Sequence, residues 1–376
     1  MSARRGTVIA GGGTGGHVVP SLQVARAMVA RGHLPSTVEL YGSRRGHEAR
    51  TWPELEFPYT LLPGRGIQRS LRPGAVVANV GAVAGLFWAC IRALASFLRR
   101  RPRVVVIVGG YASFPAGLAA VVARVPLVSV NTDAVPGAVN GFLGRFAAAN
   151  AVSFEGTELP RAHVTGTPVR PELSGLDRSQ EGRHEGRAAL GLPADRQTVT
   201  AMGGSLGALR INRAVAALAG SWQACGDRTV YHVTGRRDYD SFANAGGAEA
   251  RERGLCYRVV PFEEHMPQLY SAADVCVSRA GAMSVAELLI SGVPAILVPL
   301  PGAPRDHQTR NAEALVALGA AVHVPDPECD GERLAQELEA LLTDTDRLRA
   351  MGEAARRHAH PDAAARIAEL VDAHAR

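Results

Sequence analysis

Not one of the 376 residues is a lysine, so all 41 basic side chains are arginine. The GKS/T ending of a phosphate-binding P-loop is therefore excluded. Cysteine is scarce as well: Cys90, Cys225, Cys256, Cys276 and Cys329 are odd in number, scattered, and form no CxxC pair. That pattern argues against a zinc knuckle or a disulfide framework and points to a reducing compartment. In apolar segments such cysteines act as small hydrophobes. Aromatic residues make up only 5% and no stretch interleaves them with basic ones, so nucleic acid is not an expected partner. No DxD pair stands on a strand end, and neither a metal nor a cofactor is expected. Met1–Gly6 runs straight into an apolar strand candidate, leaving no room for the apolar region of a signal peptide.

What is present describes a folded α/β protein. Hydrophobic residues reach 47% and charged ones 20%, which excludes wholesale disorder. A chain of this length exceeds one ordinary core, so two domains are expected. A net charge of +6 favours anionic partners such as phosphates or acidic lipid surfaces.

Short apolar runs alternate with helical patterns along the chain. Thr7–Ala10, Val38–Tyr41, Tyr59–Leu62, Val104–Val108, Leu127–Val130, Ala151–Phe154 and Val164–Thr165 read as strands in the first half. Thr198–Met202, Thr229–Val233, Arg258–Val260, Val275–Ser278, Ala295–Val298 and Ala321–Val324 do so in the second. Such alternation predicts parallel sheets with helices on both faces. The turn-rich stretch from Pro168 to Arg187 reads as the linker. The predicted architecture is two Rossmann-like domains facing a cleft, over residues 1–166 and 167–360, with a last helix over 361–376.

Val76–Leu98 is long enough to cross a bilayer. It carries Asn79 and Arg92, is diluted by Gly and Ala, and lies between two strand candidates, where a crossover helix belongs. Phe87, Ile91 and Leu94 are expected in the core of that helix and Trp88 outside it. With Arg69, Arg72, Arg92 and Arg99–Arg103 around them, these residues suit an anionic membrane surface. The expected location is peripheral, on the cytoplasmic face of the cell membrane.

Four glycine-bearing turns follow strands: Gly11–His17 (GGGTGGH), Gly109–Pro115 (GGYASFP), Gly203–Ala208 (GGSLGA) and Ala280–Ser284. Glycine lets an anion approach the backbone, and a helix N-terminus offers unpaired N–H groups. The first loop is no dinucleotide fingerprint, because Leu40-Tyr41-Gly42 stands where an acidic residue belongs. Four such turns at the carboxyl ends of strands suit a nucleoside diphosphate and a second pyrophosphate. Glu287 admits two readings: partner of Ser284 in a capping box, or acceptor for two ribose hydroxyls.

At these loops the sequence resembles the MurG family. The matching pieces are GGGTGGHVVP (11–20), GGYASFP (109–115), GTPVR (166–170), GGSLGA (203–208), PFEEHM (261–266), RAGAMSVAE (279–287) and DHQTRNA (306–312). The resemblance covers nearly the full length and implies a GT-B type glycosyltransferase. Its reaction moves N-acetylglucosamine from UDP-N-acetylglucosamine to the lipid-pyrophosphoryl-N-acetylmuramyl pentapeptide.

The resemblance also implies roles. Glu287 binds the ribose hydroxyls, while Ala282, Met283 and Ser284 offer backbone N–H groups to the α-phosphate. Ser205 and Arg170 face the UDP diphosphate, Phe262 and Met266 flank the uracil, and Gln308 and Asn311 face the donor sugar and ribose. Gly13 to His17 and the turn Gly109, Gly110, Tyr111, Ser113 cradle the acceptor pyrophosphate; Thr14, Gly15 and Gly16 count among the UDP-sugar contacts as well. The last helix crosses back onto the first domain. One departure stands out: where the family commonly has His-Glu-x-Asn, this chain reads Val130-Asn131-Thr132-Asp133.

The expected chemistry is a direct inverting displacement, with backbone amides and helix dipoles stabilising the departing diphosphate. His17 is the natural candidate to accept the hydroxyl proton, and Asp133 is the other. Two alternatives remain at this point: a paralogue glycosylating a soluble natural product, and a non-catalytic UDP-sugar-binding protein.

Overall fold

Largely apolar strands such as Thr7–Ala10 (TVIA) and Val104–Ile107 (VVVI) are buried along their whole length, which requires cover on both faces of a sheet. The computed structural model describes residues 6–64, 66, 73–204, 207–222, 226–244, 252 and 254–376, with backbone alone over 73–78. Ser205, Arg69, Arg72 and Cys225 lie outside the described residues. Two compact units emerge: residues 1–170 with 360–376, and residues 171–359.

In the first unit the strands are β1 (Thr7–Ala10), β2 (Val38–Ser43), β3 (Tyr59–Leu62), β4 (Val104–Ile107), β5 (Leu127–Asn131), β6 (Ala149–Val152) and β7 (Ala162–Val164). They form one parallel sheet in the order β3-β2-β1-β4-β5-β6-β7, with Thr7 in register with Val38 on one side and Val104 on the other. β6 and β7 each begin two residues earlier than their apolar runs indicate. The helices are α1 (Gly15–Ala30), α2 (Glu48–Thr51), α3 (Pro73–Arg100), α4 (Phe114–Val122) and α5 (Ala138–Leu143). Successive strand residues point to opposite faces. Ile9 and Val106 therefore join Val24 and Met28 of α1 on one side. Val8, Val105 and Ile107 meet Ala89, Ala93 and Phe97 of α3 and Leu143 of α5 on the other.

The inward seam of α3 corrects the expected core. Ala82, Ala89, Ala93 and Phe97 are buried, whereas Phe87 is 63% exposed, Trp88 60% and Ile91 39%. Only Leu94 of the expected trio leans on the core, partly buried. Small side chains let α3 approach α4 closely, where Ala116, Ala119 and Ala120 face it, so most of the large ones fall on the outer face. Over Asn79–Arg100 the helix is apolar and long enough to cross a membrane by length and composition.

The second unit contains α6 (Gln180–Ala189), β8 (Gln197–Met202), α7 (Leu209–Ser221), β9 (Arg228–Val233), α8 (Tyr239–Phe242) and β10 (Cys256–Val260). It continues with α9 (Met266–Ala272), β11 (Val275–Ser278), α10 (Ala282–Ser291), β12 (Ala295–Leu297), α11 (His307–Ala317), β13 (Ala321–His323), α12 (Gly331–Leu342) and α13 (Thr345–Arg357). Its parallel sheet runs β10-β9-β8-β11-β12-β13. Counted from its own first strand this is the doubly wound order 3-2-1-4-5-6. Ile211, Val215 and Leu218 of α7 and Leu334 and Leu338 of α12 anchor its main core.

The expected linker is partly helix. Ser179 caps α6 by accepting from the Gly182 N–H at 3.1 Å. Gly186 is there because α9 comes close: a Cβ on it would sit 2.7 Å from the Ala272 nitrogen. Glycines that mimic a flexible segment are here a helix contact.

The last helix, α14 (Ala363–His374), belongs to the first unit. Ile367, Ala368 and Val371 are fully buried in the same core as Ile9 and Met28. At its end Asp372 accepts from Arg31 Nε and pairs with His33 Nε2, both at 2.8 Å.

Candidate functional site

In each sheet the order reverses between the unit's first and fourth strands, and ligands of open α/β sheets bind beyond the carboxyl ends of strands at that reversal. The four strands flanking the two reversals are β1, β4, β8 and β11. Each is followed by one of the four glycine-bearing turns.

The first turn feeds α1, which begins at Gly15. Its N-cap Thr14 makes no side-chain cap bond, and the Gly15 and Gly16 N–H groups precede the first intrahelical bond. Gly13, at φ +93°, needs to be glycine. Its N–H donates to Glu48 Oε2 at 2.9 Å, and Glu48 Oε1 accepts from the Ser43 N–H at 2.8 Å. Glu48 is fully buried. A Cβ on Gly12 or Gly46 would lie 2.2 or 2.0 Å from its carboxylate oxygens, so the glycines around it make room for the carboxylate.

The second turn wraps the His17 ring. Gly109 and Gly110 have φ of +96° and +73°. A Cβ on Gly110 would stand 3.0 Å from His17 Nδ1, and one on Gly109 3.2 Å from its Cδ2. The same Nδ1 lies 3.2 Å from Thr14 Oγ1. Tyr111 donates to Ser43 Oγ at 3.2 Å and its ring borders Gly13. Ser113 is buried and donates to the Gly110 carbonyl at 3.0 Å, closing its own turn. Beside Gly109, Asn140 donates to the Val130 carbonyl at 2.9 Å, and Asn131 donates to the Asp133 carbonyl at 2.6 Å. Gly13, Thr14, His17, Gly109, Gly110 and Tyr111 thus form one cluster, with the Asn131–Asp133 segment next to Asn140.

In the second unit Gly204 and Gly207 take φ of +78° and +75°. A Cβ on Gly207 would collide with the Thr234 carbonyl at 2.4 Å. Beneath this turn His232 bridges Tyr257 Oη (2.8 Å) and Asn212 Oδ1 (3.1 Å), and Asn212 also donates to Asp238 Oδ2 at 3.1 Å. Burial brings the His232 imidazole down to about 4.

The N-terminus of α10 excludes the capping-box reading of Glu287. Its N-cap is Gly281, so Ser284 is already inside the helix and no capping box forms. Ala282, Met283 and Ser284 fill the first three helical positions, whose N–H groups precede the first intrahelical bond, Val285 N–H to the Gly281 carbonyl. Glu287 is 7% exposed and accepts from Tyr270 Oη at 3.0 Å. Asn311 is buried and donates to the Ala280 carbonyl at 3.0 Å, while Gln308 Oε1 accepts from the Leu300 N–H at 2.9 Å. Both therefore brace the turns around α10. Phe262 is 43% exposed with Arg236 stacked 5.0 Å from its ring centre, and Met266 opens α9. Arg170 is exposed just before the second unit starts. Among the described residues no three His, Cys, Asp or Glu side chains gather as a metal site.

Three features escape a reading of the sequence. Glu48 sits in a polar, aperiodic stretch, signalled only by Gly42 and Gly46. Glu263 accepts from Tyr231 Oη at 2.5 Å and from the His265 N–H at 2.6 Å, which fixes the loop before Met266. Burial and that carboxylate push the Tyr231 phenol up. Arg279 donates to the carbonyls of Val298 and Pro299 and to Asp326 Oδ1 at 2.6 Å.

Comparison with known proteins identifies the family. Residues 7–152 match the Glycosyltransferase family 28 N-terminal domain and residues 198–367 its C-terminal domain. A UDP-N-acetylglucosamine--N-acetylmuramyl-(pentapeptide) pyrophosphoryl-undecaprenol N-acetylglucosamine transferase of Nocardioides sp. is 40% identical, over 97% of this chain and 96% of the relative. The enzyme of the same name from Desulforudis audaxviator is 36% identical, over 97% of both. The crystal structure of Acinetobacter baumannii MurG superposes with a TM-score of 0.78 at 29% identity, covering 98% of this chain and 99% of that one. The chain belongs to glycosyltransferase family 28 and, within it, to the MurG family.

Proposed function

We propose that the chain transfers N-acetylglucosamine from UDP-N-acetylglucosamine to a lipid-pyrophosphoryl-N-acetylmuramyl pentapeptide, with inversion at the anomeric carbon. The observation that carries this reading is the start of α10, where three open amides precede the buried Glu287 carboxylate by one turn. A nucleoside diphosphate matches both: its phosphate takes the amides and its ribose hydroxyls take the carboxylate. An acceptor hydroxyl attacks the anomeric carbon, the bond to the β-phosphate oxygen breaks, and UDP leaves. The amides of Ala282–Ser284 and the α10 dipole stabilise the charge that develops on the diphosphate. The first unit takes the acceptor, its pyrophosphate meeting Gly13, Gly15, Gly16, Gly109 and Gly110. His17, held among those glycines, receives the hydroxyl proton.

The enzyme works peripherally at the cytoplasmic face of the membrane through the outer face of α3. Phe87, Trp88 and Ile91 supply apolar area there, and Arg92 and Arg99 supply charge for anionic headgroups.

The test is incubation with labelled UDP-N-acetylglucosamine, the lipid-linked muramyl acceptor and anionic vesicles, beside lipid-free controls carrying soluble acceptors. Label is expected in the lipid fraction. Transfer only to soluble acceptors, or UDP binding without turnover, overturns the reading.

A further inference from the structure

The edge of the second sheet opposite its glycine turns carries a separate concentration of charge. A cavity of about 550 Å³ opens there. Gln197 at its wall is the first residue of β8, and Asp274 and Pro294 immediately precede β11 and β12. The six residues of β8 set this edge about 20 Å from the turn at Gly203. Nothing in the proposed transfer reaction uses it.

Five guanidiniums line the cavity, from Arg178, Arg183, Arg187, Arg349 and Arg356, against the two carboxylates of Asp195 and Asp274. Asp274 is already engaged: Oδ2 accepts from Arg187 Nη2 at 2.7 Å and from the Thr198 N–H at 2.6 Å, and Oδ1 lies 3.5 Å from Arg183 Nε. Arg349 pairs at the surface with Asp346. Arg178 donates Nη1 to the Tyr270 and Ser271 carbonyls at 2.7 and 3.0 Å. Those bonds fix the side chain without cancelling its charge. Among the described residues neither Arg178 nor Arg356 stands within ion-pair distance of a carboxylate. Burial lowers the Arg178 guanidinium to about 10; Asp274 opposes this, while Arg183, Arg356 and Arg187 add to it. The backbone accommodates the crowding: Gly292 is left-handed at φ +66°, and a Cβ on it would sit 2.4 Å from Arg356 Nη1.

We propose that this cavity binds a compact oligophosphate, a pyrophosphate group either free or carried on a small metabolite, at a site separate from those of donor and acceptor. Planar guanidinium forks pair with phosphate oxygens two at a time, and the volume falls in the range of small-molecule sites. One diphosphate supplies the counter-charge that Asp195 and Asp274 leave lacking.

Calorimetric titration of the full chain with inorganic pyrophosphate at low ionic strength tests this. Arg356→Gln, at an exposed position, should weaken binding at least about tenfold, as should Arg349→Gln combined with it. Asp195→Asn should tighten it about two- to fivefold by removing a repulsive charge. Opposite signs from neighbouring substitutions separate an anion site from a merely structural arginine cluster, and unliganded melting curves check that each variant folds. Parallel titrations with ADP and adenosine identify the source: equal binding of ADP and pyrophosphate indicates a free oligophosphate, and tighter ADP binding indicates a carried one. Binding of pyrophosphate that Arg356→Gln and Asp195→Asn both leave unchanged overturns the proposal, as does adenosine binding as tightly as ADP.

Discussion

Replacing Glu48 by Gln is the sharpest test of how the first glycine turn holds its shape. Gln keeps the volume and one acceptor oxygen, but it turns the other oxygen into an NH2 group facing a backbone N–H. In the parent those oxygens accept from Gly13 and Ser43 at 2.9 and 2.8 Å. Losing one charge-assisted bond costs about 1.5–3 kcal/mol, and leaving a buried donor unmet costs about 1–3 kcal/mol more. The surrounding backbone leaves no slack for the side chain to rotate away, since a Cβ on Gly12, Gly42 or Gly46 would fall within 2.7 Å of Glu48 atoms. A loss of about 3–5 kcal/mol, at roughly 2–4 °C per kcal/mol for a unit of this size, lowers its melting transition by about 10 °C. Differential scanning calorimetry with and without UDP reads this out: at the proposed donor site UDP should shift the transition of the second unit and leave the first to be followed. Glycosyl transfer should fall alongside, with UDP affinity unchanged. A first-unit transition within about 2 °C of the parent's, with full turnover, would refute the bracing role of Glu48.

Glu287→Ala should weaken UDP binding by about 2–3 kcal/mol with little change in the unliganded melting temperature; unchanged affinity in a titration removes the ribose assignment. His232 couples stability to pH: as pH falls from about 6.5 to about 4 the unfolded chain takes up a proton that the buried imidazole refuses, so stability is lost across that window, on the order of 3 kcal/mol. Urea unfolding at several pH values should show His232→Gln with a flatter slope there, and an unchanged slope removes His232 as the cause. His17→Ala should lower turnover about 10²–10⁴-fold, whereas Asp133→Asn should change it by less than about tenfold; a collapse confined to the Asp133 variant reverses the assignment of the proton acceptor.

The strands are legible because each is a short apolar run, and two sheets of parallel strands follow from their alternation with helices. Boundaries drift where pairing begins ahead of the apolar run, as at β6 and β7. The face of α3 is misread because hydrophobicity ranks Phe87 and Ile91 above alanine, while close approach to α4 selects alanine for most of the seam. α6 is hidden by Gly182 and Gly186, whose purpose is visible only once Asp177 folds against the first and α9 lies against the second. At the site, the glycine turns announce themselves by composition and position. Glu287 cannot be resolved from sequence, since its capping partner Ser284 turns out to be three residues inside the helix. Glu48 and Glu263 escape notice because each serves backbone groups remote from it in sequence or within its own loop.

The placement of α14 has a consequence for synthesis. Ile367 and Val371 complete a core begun by Ile9, yet the ribosome makes the whole second unit between them. At roughly 5–20 residues per second, the first unit waits about 10–40 s for its closing helix. During that time the patch destined for Ile367 and Val371, beside Val24 and Met28 of α1, remains uncovered. The second unit, contiguous in the chain, has no such delay. Order of emergence and order of completion are thus inverted, and the earliest-made half is the one most exposed to chaperones and to aggregation.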